Sequence, residues 1–90
     1  MEKRLTKVCE GKDRYDIYIY EGQYIVYHRA GEGGLGMGVV KEIYIDEDVD
    51  SDKEYDKYVY IVENVNGKLI DKRGDEVVGR LDAPAGNLFT

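Results

Sequence analysis

Residues 57–71 read Lys-Tyr-Val-Tyr-Ile-Val-Glu-Asn-Val-Asn-Gly-Lys-Leu-Ile-Asp. The first nine are mostly β-branched or aromatic, a composition that favours a β-strand. Asn66-Gly67 follows, and it predicts a two-residue hairpin turn because both residues tolerate positive φ. We therefore expect a strand over 57–65 that turns back on itself and pairs with a second strand over 68–71.

The same composition recurs on both sides of this hairpin. Further strands are predicted over residues 15–20, 24–29, 39–46 and 76–81, each bounded by turn or loop residues. Residues 1–9 fit either a short amphipathic helix or an opening strand paired with 16–20, and we favour the strand. The predicted fold is all-β: a small antiparallel barrel or rolled sheet of six to seven short strands joined by tight turns.

Length and composition limit the number of domains and the class of protein. Ninety residues suit one domain, which we place at residues 1–81, with a tail over 82–90 in which Leu88 and Phe89 are the candidates for docking onto the body. With 42% hydrophobic and 36% charged residues, the chain is too apolar for disorder and too charged for a membrane. No apolar run follows the charged N-terminus, so we expect a cytoplasmic protein.

The negative charge is concentrated in one segment, residues 46–56. It holds seven of the nineteen acidic residues and one of the thirteen basic ones, so the other 79 residues carry twelve of each sign. The net charge of −6 therefore belongs to one loop between two strands. Such a loop disfavours direct nucleic-acid binding and suits a basic protein partner. Its carboxylates are Asp46, Glu47, Asp48, Asp50, Asp52, Glu54 and Asp56.

Three interpretations of the acidic segment compete. Asp48, Asp50 and Asp52 alternate like the opening ligands of a calcium loop, but Lys53 and Val59 stand where that frame needs glycine and glutamate, so no metal site is predicted. Carboxylates beside tyrosines can instead imitate a nucleic-acid backbone and its bases. The third interpretation is a solvated loop that keeps the protein soluble.

Tyrosines alternate with aliphatic residues in three of the predicted strands. We expect the aliphatic side to form the core, which leaves a tyrosine face as an outer surface. Tyrosine suits a protein-binding face or a homodimer contact, although it is also an ordinary half-buried strand residue. The tyrosines of this face are Tyr18, Tyr20, Tyr44, Tyr58 and Tyr60.

Several motifs carry no catalytic chemistry. The glycines at 31, 33 and 36 spell a nucleotide-binding pattern, but a strand follows them where that mechanism needs a helix. We interpret residues 31–38 as a flexible hairpin loop with Leu35 and Met37 as candidate contacts. The single histidine and single cysteine leave no convergent acid, base and nucleophile, so we predict neither an enzyme nor a cofactor.

These observations predict a non-catalytic protein-interaction module. In its sharpest form it is an acidic inhibitor that occupies the basic groove of a nucleic-acid-binding protein, through the acidic segment, the tyrosine face or both. The alternative is a small-molecule or ion-binding β-barrel that uses the glycine loop or the carboxylate cluster.

Overall fold

The computed structural model describes residues 4–29, 31 and 33–81, and their regular structure consists of β-strands and two single 3₁₀ turns. The all-β prediction is confirmed. The 3₁₀ turns are Glu54–Lys57 and Gly74–Glu76. The strands are β1 (Leu5–Val8), β2 (Glu10–Lys12), β3 (Tyr18–Tyr20), β4 (Tyr24–His28), β5 (Leu35–Asp46), β6 (Tyr58–Asn64), β7 (Leu69–Arg73) and β8 (Val77–Leu81).

The main sheet is antiparallel, with the order β7-β6-β5-β4-β8. β5 is its longest strand, with 12 residues, and it pairs with β6 along one edge and with β4 and then β1 along the other. β7 and β8 lie at opposite ends of the order, yet only the second 3₁₀ turn joins them. The sheet therefore rolls until its ends approach, without closing into a barrel. The Lys72 ammonium links β7 at one end to β4, the neighbour of β8, because it donates to the His28 carbonyl oxygen at 3.0 Å.

A separate two-stranded ribbon, β2–β3, covers the core. Ile19 is fully buried on its inner face, directly opposite Gly11. The missing side chain of Gly11 makes room for Tyr60, since a Cβ there would lie 2.3 Å from the tyrosine oxygen. β1 is the strand that we expected near the N-terminus, but its partner is β5; the ribbon pairs β3 with β2 instead.

The core lies inside the roll. In β3 and β5 the aliphatic residues point inward, as expected. In β6 the expected faces are reversed: Tyr58 and Tyr60 point into the core, and Val59 lies on the opposite face. The buried core residues are Ile19, Ile25, Tyr27, Val40, Ile43, Tyr58, Tyr60, Val62 and Val77.

Two loop predictions need correction. The β6–β7 hairpin exists, but its turn is not the two-residue Asn-Gly type: Gly67 takes a φ of 82°, and the Asn64 carboxamide oxygen accepts from the amides of Asn66 and Lys68. The glycine loop is shorter than predicted, because Leu35 already belongs to β5. The register of β4 with β5, in which His28 lies opposite Leu35, extends the ladder into the glycine run.

The predicted tail, with Leu88 and Phe89, lies outside the described residues. Within the part of the chain that the structure describes, no helix has the length and apolar character needed to span a membrane.

Candidate functional site

The first and last parts of the acidic segment serve the fold. The Asp46 carboxylate is buried at the end of β5; one oxygen accepts from the Arg73 guanidinium at 3.0 Å and the other from the Asp48 amide at 3.0 Å. Near the other end, Asp56 is half-buried and accepts from the Ser51 hydroxyl at 2.8 Å. Neither carboxylate is presented to a partner, so two of the seven predicted binding carboxylates are structural.

The other five carboxylates of the segment are exposed. Three have single partners across the surface: Glu47 accepts from Thr6 at 2.8 Å, Asp48 from Arg4 at 3.1 Å and Glu54 from Lys12 at 3.5 Å. Asp50 and Asp52 have no hydrogen bond or ion pair within residues 4–29, 31 and 33–81. Exposed pairs contribute little to stability. All five carboxylates are therefore available to an incoming cation, at little cost to the fold.

A cleft of about 440 Å³ opens beneath this segment. Its floor is apolar at Ile45, Val49 and Tyr58, and its rim is mostly acidic. Concave apolar walls around like charges concentrate the electrostatic potential. The charged residues that line the cleft are Glu47, Asp52, Glu54 and Lys57, together with the buried Asp46.

The outward face of the β2–β3 ribbon lies beside this cleft. Strand register places Glu10 opposite Tyr20, and Lys12 opposite Tyr18, all on the face away from Ile19. Tyr18 and Tyr20 are 43% and 41% exposed, and their stacked ring centroids lie 6.2 Å apart. These four residues, which we call the tyrosine strip, present two aromatic rings to solvent.

Lys12 connects the tyrosine strip to the acidic segment. Its ammonium lies 5.2 Å from the Tyr18 ring centroid and 3.5 Å from the Glu54 carboxylate. That carboxylate is the main cause of the raised pKa of Lys12. The pKa of Tyr58 is also raised, first by burial and then by Glu54. The strip and the segment therefore form one continuous surface.

The other predicted contact residues do not extend the tyrosine strip. Tyr58 and Tyr60 are 8% and 0% exposed and belong to the core, so the prediction that they lie on an outer tyrosine face is wrong. Tyr44 is half-buried, and its hydroxyl donates to Glu42 at 2.6 Å, which is the first cause of its raised pKa.

Leu35 and Met37 lie at the opposite end of β5, in a groove of about 630 Å³ between two hairpins. Leu35 is exposed and Met37 half-buried. The cationic residues Arg29 and Lys68 and the amides of Asn64 and Asn66 also line this groove. It is therefore a second concave surface, remote from the carboxylates along β5 and β6.

Our sequence reasoning missed Glu10 and Lys12. Their signal in the sequence is that the charged residues Glu10 and Lys12 flank Gly11, just as Tyr18 and Tyr20 flank Ile19. This alternation is typical of two paired strands. A three-residue strand is too short for that signal to stand out. The ribbon became recognisable only through its pairing.

The described residues contain no group of three or more histidine, cysteine, aspartate or glutamate side chains placed to hold a metal ion. Comparison of the chain with family models, with curated proteins and with solved structures finds no match. Function is therefore inferred from the geometry and charge of the residues themselves.

Proposed function

We propose that the protein is a non-catalytic interaction module that occupies the basic groove of a nucleic-acid-binding protein. The observation that carries the proposal is the continuity of the acidic segment and the tyrosine strip through Lys12. A basic groove built for nucleic acid binds negative charge along a backbone and aromatic rings beside it. Exposed carboxylates next to exposed tyrosines offer both.

The distribution of charge supports this function over a general solubilising role. Outside residues 46–56 the acidic and basic residues are equal in number, so the rest of the surface has no net attraction for a basic protein. Electrostatic complementarity of this local kind steers association and sets the orientation of the bound partner. The excess charge thus acts at one place on the molecule.

The test compares two variants with the same loss of charge. The segment variant neutralises four exposed carboxylates through Asp48→Asn, Asp50→Asn, Asp52→Asn and Glu54→Gln. It should fold because Asp46 and Asp56 are retained. The matched control neutralises four carboxylates elsewhere on the surface, through Glu21→Gln, Glu63→Gln, Asp71→Asn and Asp75→Asn. The wild type and the two variants are each immobilised, exposed to a lysate of the native host and eluted with duplex DNA.

We expect the wild type and the control to retain the same basic proteins, which duplex DNA releases. The segment variant should bind them more weakly, on the order of tenfold or more, because it lacks the charges that steer association. Equal retention by both variants, or capture that DNA does not reverse, would contradict the proposal.

The groove beside the glycine loop supports a second candidate function, the binding of a small anionic molecule. Its volume of about 630 Å³ is within the range of ligand pockets, and Arg29 and Lys68 provide positive charge. A ligand that binds only the native state must raise the melting temperature. A screen of small phosphates and carboxylates by thermal melting, with Lys68→Gln as the comparison, tests it; a set of unshifted melts would exclude those ligands.

A further inference from the structure

The chain already contains one complete cation-binding arrangement at its proposed interface. The Lys12 ammonium lies between an aromatic ring, Tyr18, at 5.2 Å and a carboxylate, Glu54, at 3.5 Å. A cation over an aromatic face is stabilised by the ring quadrupole, and the carboxylate adds charge attraction. We call the pair formed by Tyr18 of the tyrosine strip and Glu54 of the acidic segment the first position.

The neighbouring residues repeat this chemistry without an internal cation. Tyr20 stacks beside Tyr18, and Glu10 is its direct cross-strand neighbour. Side chains directly opposite each other on an antiparallel pair are in contact range. Within the described residues, no lysine or arginine forms an ion pair with the Glu10 carboxylate or a cation–ring contact with Tyr20. We call Tyr20 and Glu10 the second position.

The separation of the two positions matches an extended peptide. The ring centroids of Tyr18 and Tyr20 lie 6.2 Å apart, and alternate side chains of a β-strand repeat about every 6.5 Å. Arginine fits such a position better than lysine, because its planar guanidinium stacks on a ring while it forms a bidentate pair with a carboxylate. Both features are in place at each position.

We propose that the tyrosine strip binds an extended arginine-x-arginine segment of the partner, and that Lys12 is an internal competitor that this segment must displace. This inference rests on the proposed function and names the partner chemistry that the site recognises. One arginine takes the second position directly. The other takes the first position as the Lys12 ammonium moves into solvent.

The experiment uses the full chain and a capped octapeptide of serine and threonine with two arginines at alternate positions. Tyr20→Ala should weaken peptide binding by about two- to fivefold, the value of one exposed cation–ring contact. Tyr20→Phe keeps the ring and should keep the affinity. A peptide with the arginines three residues apart should bind as weakly as Tyr20→Ala does.

Lys12→Met provides the stronger test, because it should tighten peptide binding by about two- to fivefold once the internal cation is removed. The matched control is Lys41→Met, which removes the same charge from an exposed lysine paired with Glu63 away from the strip. Equal tightening of peptide binding in both variants would show that the effect comes from net charge alone, and it would overturn the inference.

The two proposals fail separately. If Tyr20→Ala and Lys12→Met leave peptide affinity unchanged while neutralisation of the acidic segment abolishes capture of the partner, the strip is not the arginine site and the proposed function stands. If the neutralised segment still captures the partner, the proposed function itself is wrong.

Discussion

Two pairs of tyrosines in this molecule have the same sequence pattern and opposite environments. Tyr18-Ile19-Tyr20 and Tyr58-Val59-Tyr60 both place a β-branched residue between tyrosines, and in both pairs the ring centroids lie 6.2 Å apart. The first pair is exposed on the ribbon, whereas the second is buried in the core. The alternation of a strand fixes which residues share a face, but it leaves open which face is inside.

The two strands differ in how their faces are covered. β3 belongs to the two-stranded ribbon, and only the Ile19 side of that ribbon meets the core. β6 lies between β5 and β7, and both of its faces are covered: Tyr60 is fully buried, and Val59 on the opposite face is only 5% exposed. Tyr60 tolerates burial because its hydroxyl donates to the Lys12 carbonyl oxygen at 3.2 Å.

The largest expected effect is a difference in stability between the two pairs. Tyr60→Ala should lower the free energy of unfolding by about 3–5 kcal/mol, because it removes a buried aromatic ring and leaves a cavity. Tyr20→Ala should lower it by about 1 kcal/mol, since the residue is 41% exposed at the surface and its removal leaves no internal cavity. Urea unfolding followed by circular dichroism measures both, and equal losses would contradict the assignment of the two faces.

The sequence predicts the all-β class and most of the strands, because β-branched and aromatic residues cluster between turn residues. It does not predict the partner of β1 or the inward side of β6. The partner of β1 depends on the length of β5, whose C-terminal half extends beyond β4. The inward side of β6 depends on Gly11, a residue 49 positions earlier that provides the space for Tyr60.

The acidic segment shows the same limit. Its charge is evident from composition, but the burial of Asp46 depends on Arg73 in β7, which no local pattern links to it. The two cation positions at the tyrosine strip are similar, since their carboxylates come from the segment and from β2, and only the fold brings them together. Composition therefore located half of the candidate site, and tertiary pairing supplied the other half.

The second prediction concerns the space that allows one tyrosine pair to be buried. Gly11→Ala places a Cβ 2.3 Å from the Tyr60 oxygen and 2.9 Å from two ring carbons, so the packed ring must shift. We expect a loss of about 1–3 kcal/mol in the free energy of unfolding. Gly79→Ala is the matched control, because its nearest neighbour would be a carboxylate oxygen at 4.0 Å.

A double-mutant cycle makes this prediction specific to Tyr60. In the Tyr60→Phe background the closest atom is absent, so Gly11→Ala should cost less than it does in the wild type. An identical cost in both backgrounds, or a cost at Gly79 as large as at Gly11, would show that the destabilisation has another origin.

The smallest expected effect is a dependence of stability on alkaline pH. Burial, followed by the charges of Tyr58 and Asp13, raises the pKa of Tyr60 above its ordinary value of about 10. The unfolded chain therefore releases this proton above about pH 10 while the native protein keeps it, so stability is complete below that pH and falls as the pH rises. One such proton is worth about 1.4 kcal/mol per pH unit.

Thermal melts between pH 8 and 11 measure this loss. Tyr60→Phe should be somewhat less stable at pH 8, because it lacks the hydrogen bond to Lys12, yet its stability should fall less steeply above pH 10. Part of the decrease of stability with pH should remain in Tyr60→Phe, since the pKa values of Tyr27, Tyr58 and Lys12 are also raised. Tyr15→Phe, at a ring that is 69% exposed, should leave the slope unchanged. If Tyr60→Phe and Tyr15→Phe give the same slope as the wild type, burial of the Tyr60 hydroxyl does not control the alkaline limit of this fold.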